Sequence, residues 1–288
     1  MSKTPLKHST PHQGWSTQYV NVNLPWALSR RKFLKRTLFG PALGCLLPCL
    51  VNQVYSQIGS CDQGPVNPPS STMYDLDENA ADWGIFCEGA PLWVKGNVST
   101  PSLDGNALWC GVTGGMPFSN VHCYRNLLPD PSATVFTLTL SFWFSPTTTF
   151  NNVGGDSIVQ ALEFSMSKWQ EAKRYEFALQ WQNVGAGGPQ WRYWDPLRPA
   201  SERWVSLTIP ETLAGEQWHT FTLEGEIING QVYYRNFTID QRSYGLGILV
   251  PPAATPGEPD RLAMAVQLDG NFTQSPYDLF IDKVSFVR

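Results

Sequence analysis

The chain has 288 residues, 42% of them hydrophobic, enough to fill the core of one large domain. Charged residues are only 15%, against roughly 25% in an average globular domain, so the polar surface must rest on Ser, Thr, Asn and Gln. Seven of the 20 Lys and Arg precede residue 57 and all 24 Asp and Glu follow it, which leaves the later part with 13 basic against 24 acidic side chains, a net −11. An acidic body without a basic stripe excludes nucleic acid and anionic lipid as partners, because both need clustered Lys or Arg.

Residues 1–28 are polar and proline-containing, and disorder is expected there. Ser29-Arg30-Arg31-Lys32-Phe33-Leu34-Lys35 then precede an uncharged apolar run, Leu38 to Val51. This is the layout of a cleavable export signal. The run is shorter than the roughly 20 residues of a bilayer span, so no stable span is expected after cleavage. The heptapeptide resembles the twin-arginine motif, with Arg30, Arg31, Phe33 and Leu34 at its specified positions. The resemblance implies the twin-arginine export machinery as a partner, a chain that crosses already folded, and a periplasmic or extracellular destination. Val54-Tyr55-Ser56 places cleavage after Ser56. Ile58-Gly59-Ser60-Cys61 is partly like a lipoprotein box, and that reading would anchor the protein at Cys61 instead.

The expected organisation is an extension and signal over 1–56, a linker over 57–72 and one domain over 73–288. Four cysteines remain beyond the signal, and an oxidising compartment makes two disulfides the natural reading. Three connectivities are open. Cys110–Cys123 with Cys61–Cys87 is favoured, because the first two flank the turn Gly111 to Asn120. Zinc is disfavoured: there is no Cys-x-x-Cys pair, and only His122 and His219 accompany these cysteines.

Period-two alternation predicts strands at Leu108 to Val112, Val135 to Phe144, Ile158 to Met166, Tyr175 to Trp181, Trp204 to Ile209, His219 to Glu226, Gln231 to Ile239, Leu262 to Leu268 and Tyr277 to Val287. Asn229-Gly230 reads as a hairpin turn. Ser167 to Lys173 is the one helix candidate. Many strands without a βαβ rhythm predict an all-β, two-sheet antiparallel β-sandwich, a jelly roll.

Tyr74-Asp75-Leu76-Asp77-Glu78-Asn79, Trp83-Gly84, Leu103 to Leu108 and the closing Tyr277 to Phe286 resemble the two ends of jelly-roll carbohydrate-binding modules. The resemblance implies a structural calcium (Ca2+) held between Asp77 and Asp282. Ser119 to Asn126, Ala161 to Phe164 and Tyr175 to Trp181 are similar to strands of concanavalin-like lectins and family 12 endoglucanases. That likeness implies Glu176 as a glycosidase nucleophile, with Glu163, Glu224 or Glu226 as the second carboxylate. The alternative is that Glu163 and Glu176 pair with Lys168, Lys173 or Arg174, or face solvent. No Gly-x-Ser-x-Gly elbow occurs, and two isolated histidines offer little for a triad; His219 reads as packed.

The stretch from Trp181 to Trp194 carries the main sugar expectation. Trp181, Gln182, Trp191, Arg192, Tyr193 and Trp194 combine rings for the apolar faces of pyranoses with amide and charged groups for their hydroxyls. In a strand, however, Trp191 and Tyr193 point one way and Trp194 the other. Trp109, Trp143, Trp204 and Trp218 are expected in the core. The function these readings favour is an exported, non-catalytic carbohydrate-binding protein with a polysaccharide or glycan partner. The alternatives are a glycoside hydrolase using Glu176 and a structural or adhesive envelope protein.

Overall fold

A computed structural model describes residues 71–116, 118–145, 159–184, 187–272 and 274–288. The residues expected to direct export (Arg30, Arg31, Phe33, Leu34), the cleavage point at Ser56, and Cys61 lie outside the described residues.

Among the described residues, sixteen strands, numbered in chain order, form two antiparallel sheets. The first sheet runs β13 (Arg242–Val250), β12 (Gln231–Ile239), β11 (His219–Ile228), β6 (Val135–Ser145), β16 (Tyr277–Val287), β4 (Ala107–Thr113), β3 (Leu92–Val98), with the short β1 (Thr72–Met73) also on β16. The second runs β10 (Trp204–Pro210), β9 (Gln190–Trp194), β8 (Lys173–Gln182), β7 (Ala161–Gln170), β15 (Arg261–Asp269), β5 (Asn120–Leu127), β2 (Gly84–Glu88), with β14 (Ala253–Ala254) beside β8. The only described helical element is a single 3-10 turn, Ala80–Asp82. None of the described helices is long and apolar enough to cross a membrane.

Alternation builds the sandwich. On β6, Phe136, Leu138, Leu140, Phe142 and Phe144 are buried between the sheets, while Thr137 and Thr139 turn outward. Each such apolar side chain stabilises the fold by about 1.5–3 kcal/mol when withdrawn from water. Trp181 and Trp191 belong to this core. Trp191 stacks on Phe221 at 5.6 Å and lies 6.3 Å from Phe164.

The expected disulfide Cys110–Cys123 is present, but it does not join neighbours within a sheet. It links β4 of the first sheet to β5 of the second, with Cα atoms 6.8 Å apart. Replacing both cysteines by alanine should lower the unfolding free energy by about 3 kcal/mol, the loop-entropy value for a loop of this order. A shift of the urea midpoint at unchanged slope measures it. Cys87 forms no disulfide among the described residues, and its expected partner Cys61 lies outside them.

The helix expected over Ser167 to Lys173 does not form. β7 continues to Gln170, Glu171 and Ala172 make a two-residue turn with φ of 53° and 58°, and β8 begins at Lys173. Hydrogen bonds from Thr255 N to Ala172 O (2.7 Å) and from Glu171 N to Asp260 Oδ1 (3.2 Å) hold a turn whose sequence lacks the usual glycine. Asn229-Gly230 is the expected hairpin turn, both residues at positive φ.

Candidate functional site: the outer face of the second sheet

The site follows from register. On β7, Leu162, Phe164 and Met166 enter the core, so Ala161, Glu163, Ser165, Ser167 and Trp169 face outward. The same parity turns Arg174, Glu176, Ala178, Gln180 and Gln182 outward on β8, and Arg261, Ala263, Ala265, Gln267 and Asp269 on β15. Strand pairing then lines up one residue from each of seven strands: Phe86, His122, Gln267, Glu163, Gln180, Arg192 and Ser206. His122, Gln267, Glu163 and Gln180 are buried.

This row is wired internally. Arg192 Nη2 donates to Gln180 Oε1, whose Nε2 donates to Asp269 Oδ2 at 3.2 Å, and Gln267 Nε2 donates to Asp269 Oδ1. The register sets Asp269 opposite Ala161. That alanine is small enough to let the carboxylate and Gln180 meet across β7. Burial pushes the Arg192 guanidinium below its ordinary value, and Asp269 pulls it back up. Among the described residues, Gln267 Oε1, Gln182 Oε1, Asn120 Oδ1 and Arg192 Nε are buried without a hydrogen-bond partner. Groups of this kind cost about 1–3 kcal/mol each unless something satisfies them.

Beside the polar row runs a floor of small side chains. Tyr124 pairs with Ala265, Ala265 with Ser165 and Ser165 with Ala178; Ala263 pairs with Ser167 in the next row. Aromatic rings stand at both ends. Tyr124 lies over Gly84, where an added Cβ would come within 2.3 Å of the ring. At the far end Trp194 packs edge-on against Trp204 (5.1 Å), with Arg203 over the one ring and Arg192 over the other. The opposite margin is Arg261–Trp169–Arg174, the two guanidinium groups 4.0 and 6.0 Å from the indole. From Tyr124 to Trp194 is four strand intervals, about 19 Å.

Of the six residues expected to meet sugar, Gln182, Arg192 and Trp194 lie on this face. Trp181 and Trp191 are in the core, and Tyr193 points inward against Tyr234. Trp204 faces outward here rather than into the core. Trp109 and Trp143 flank Phe280 on the outer face of the first sheet (6.3 and 5.3 Å), so they also differ from expectation. Trp218, half-buried before β11, also lies outside the core cluster. His219 is packed, as expected, against Phe142 and Phe144.

Glu163 and Glu176 share the face but not a reaction centre. Glu163 is opposite Gln180 and Glu176 opposite Ser167, four residues along the ladder, which is roughly 13 Å. A retaining pair needs about 5–5.5 Å and an inverting pair about 6.5–9.5 Å. Glu176 is instead tied to Arg174 at 2.7 Å, the pairing foreseen as the alternative. Glu224, bonded to Asn236, and Glu226, near Arg235, belong to the first sheet.

Asp77 and Asp282 do come together. Asp77 Oδ1 accepts from Val284 N (2.7 Å), while Asp282 accepts from Lys283 N (2.7 Å), Leu103 N (2.6 Å) and Ser102 Oγ (2.9 Å). Calcium takes six to eight oxygens. Both Asp282 oxygens already hold donors, and no three His, Cys, Asp or Glu side chains group for a metal among the described residues. Asp77 Oδ2, by contrast, is buried without a hydrogen-bond partner among the described residues. Burial, with a smaller push from Asp282, raises the Asp77 carboxyl from 3.8 to about 6. The folded state therefore favours the proton. Its contribution is complete below the ordinary value and is lost as pH rises through about 6. Thermal stability should fall between pH 5 and 7.5, and Asp77→Asn should flatten that dependence and raise the neutral-pH melting temperature.

None of His122, Tyr124, Asn120, Gln180, Gln267 and Asp269 was expected from sequence to meet sugar, although the first four lie in the segments that resemble lectin strands. Their only further signal was an outward parity occupied by Gln, Ala and Ser instead of the Thr and Lys of a solvated sheet face.

No protein-family model matches the chain, and no curated protein matches it. Solved structures that resemble it include an endo-β-1,4-glucuronan lyase from the fungus Trichoderma reesei, at 14% identity and a TM-score of 0.48, covering 74% of this chain and 94% of that one. Others are a family 11 carbohydrate-binding module from Clostridium thermocellum (12%, 0.38, 74% and 94%) and an alginate lyase, Aly36B (11%, 0.40, 77% and 98%).

Proposed function

We propose that this chain is an exported glycan-binding protein whose ligand lies across the outer face of the second sheet. The observation that carries this reading is the small-floored channel between the polar row and the Arg261–Trp169–Arg174 margin, with aromatic rings at its two ends. Pyranose rings present apolar C–H faces and hydroxyl edges. The half-buried rings of Tyr124 and Trp204 suit the faces, with the buried Trp194 backing Trp204. The under-satisfied amides and the Arg192 guanidinium suit the hydroxyls. Arg192, Arg174 and Arg261 are matched by Glu163, Glu176 and Asp269 on the same face, and the body carries net negative charge, so a neutral polysaccharide fits better than a polyuronate. Export through the twin-arginine route is part of the proposal. It rests on the Ser29–Lys35 pattern and agrees with the Cys110–Cys123 disulfide.

Affinity electrophoresis through gels holding mixed-linkage β-glucan, galactomannan, xylan or alginate tests it. Retardation by a neutral polymer, lost in Gln180→Ala/Gln267→Ala, is expected. Unretarded migration in every gel contradicts the reading.

A second reading, an enzyme acting on the same face, is favoured by one observation: His122, Gln267 and Glu163 stand side by side, with Tyr124 two residues from His122. Groups able to exchange protons thus flank the channel. Release of reducing ends or of unsaturated, ultraviolet-absorbing ends, abolished by Glu163→Gln while binding persists, would establish it. Recovery of unshortened polymer leaves binding alone.

A further inference from the structure

The polar face ends, along β5 and β15, at Asn120 and Asp269, which pair with each other. The ladder then runs one step further. Phe118 N donates to Gly270 O (3.2 Å) and Gly270 N to Ser119 O (2.6 Å). Immediately beyond stand two phenylalanines, Phe118 and Phe272, edge to face at 4.8 Å, exposed by 50% and 65%, with Met116 at 55% beside Phe118 in the chain. Isolated exposed apolar residues need no explanation, but a contiguous group does. Phe118 also holds φ of 60°, a left-handed conformation that a bulky side chain rarely adopts. Such conformations gather where a site requires them. Here the conformation accompanies a ring left in solvent where the ladder ends, a place where an inward-packed residue would bury more surface.

We infer that Phe118 and Phe272 form an outer aromatic subsite that receives a further pyranose unit of the same polysaccharide, past the end of the polar row. This rests on the glycan reading of the second sheet and adds the direction of the ligand. Besides crossing the strands, the polymer leaves the face along β5 and β15. Continuity with the face argues for this occupant over a protein partner. Phe118 precedes Asn120 by two residues and Phe272 follows Asp269 by three, so a chain seated on those groups reaches the rings without a turn.

The test compares the full chain with Phe118→Ala/Phe272→Ala, and with Leu249→Ala on β13 as a control for loss of an exposed apolar side chain elsewhere. Mixed-linkage β-glucan, galactomannan, xylan and alginate serve as probes, each as polymer and as tetrasaccharide, by titration calorimetry. Losing the aromatic platform should weaken polymer binding about tenfold. Tetrasaccharide binding and melting temperature should stay unchanged, and Leu249→Ala should match the unaltered protein. Equal polymer affinity in the double variant overturns the subsite alone. An equal loss for polymer and tetrasaccharide shows that the rings act on the face itself, which also overturns it. No binding of any probe by the unaltered protein overturns the glycan face and the subsite with it. Self-association that the double variant abolishes, without any glycan effect, assigns the rings to a protein contact instead.

Discussion

Arg192→Met is expected to weaken glycan binding by about 10- to 100-fold, the usual worth of a hydrogen bond from a charged donor, with little change in melting temperature. Methionine keeps an unbranched apolar stem and removes the guanidinium, whose Cζ lies 5.9 Å from the centre of the Trp204 ring. The loss has two parts. One donor to the ligand disappears, and Gln180 Oε1 loses the partner that fixes its orientation, so its amide no longer faces Asp269 in one sense only. Titration calorimetry with the retained polysaccharide, beside a thermal melt, separates binding from folding. A fall in stability without a fall in affinity would show that the row is structural.

The core tryptophans should behave in the opposite way. Trp191→Ala should cost about 3–5 kcal/mol, as truncation of a large buried aromatic does. The ring is fully buried among Phe164, Phe221 and Phe237. Trp191→Phe should cost much less, because the indole Nε1 donates to nothing among the described residues. Trp181→Phe should fall between the two: Trp181 Nε1 donates to Glu211 O at 2.8 Å, and losing it strands a buried carbonyl. Urea unfolding of the three variants orders them. Trp204→Ala, by contrast, should spare stability and weaken binding, since its half-buried ring stands at the end of the channel.

The contrast between Trp191 and Trp204 also marks what the sequence could and could not disclose. Alternation located the strands well where both faces are distinct, as on β6, where Phe and Leu alternate with Thr and Ser. It failed at the end of β7. There the outward residues are buried as well, so Ser167 to Trp169 lose the contrast that marks a strand, and Ser167 to Lys173 looked partly helical. The stretch from Trp181 to Trp194 drew attention because its rings are dense. Yet density says nothing about facing, and the β8–β9 pairing of Trp181 with Trp191 puts both rings in the core. Glu163 was visible as a carboxylate, but its neighbours on the row come from six other strands. His122, Gln180 and Gln267 are single polar residues in apolar contexts, and only the strand order, which local pattern does not encode, brings them into line. The Asp77–Asp282 approach was legible, because it joins the two recognisable ends of the domain. The backbone N–H and hydroxyl donors on the pair were not legible, because they depend on the loop at Ser102 and Leu103.

The most direct measurement is a two-dimensional nitrogen–proton spectrum of the tryptophan indoles, recorded while a bound tetrasaccharide is titrated in. The indole signals of Trp194, Trp204 and Trp169, on the outer face of the second sheet, should shift, while those of Trp181 and Trp191 in the core and Trp109 and Trp143 on the first sheet hold still. Movement confined to Trp109 and Trp143 would place the ligand on the opposite face and contradict the account.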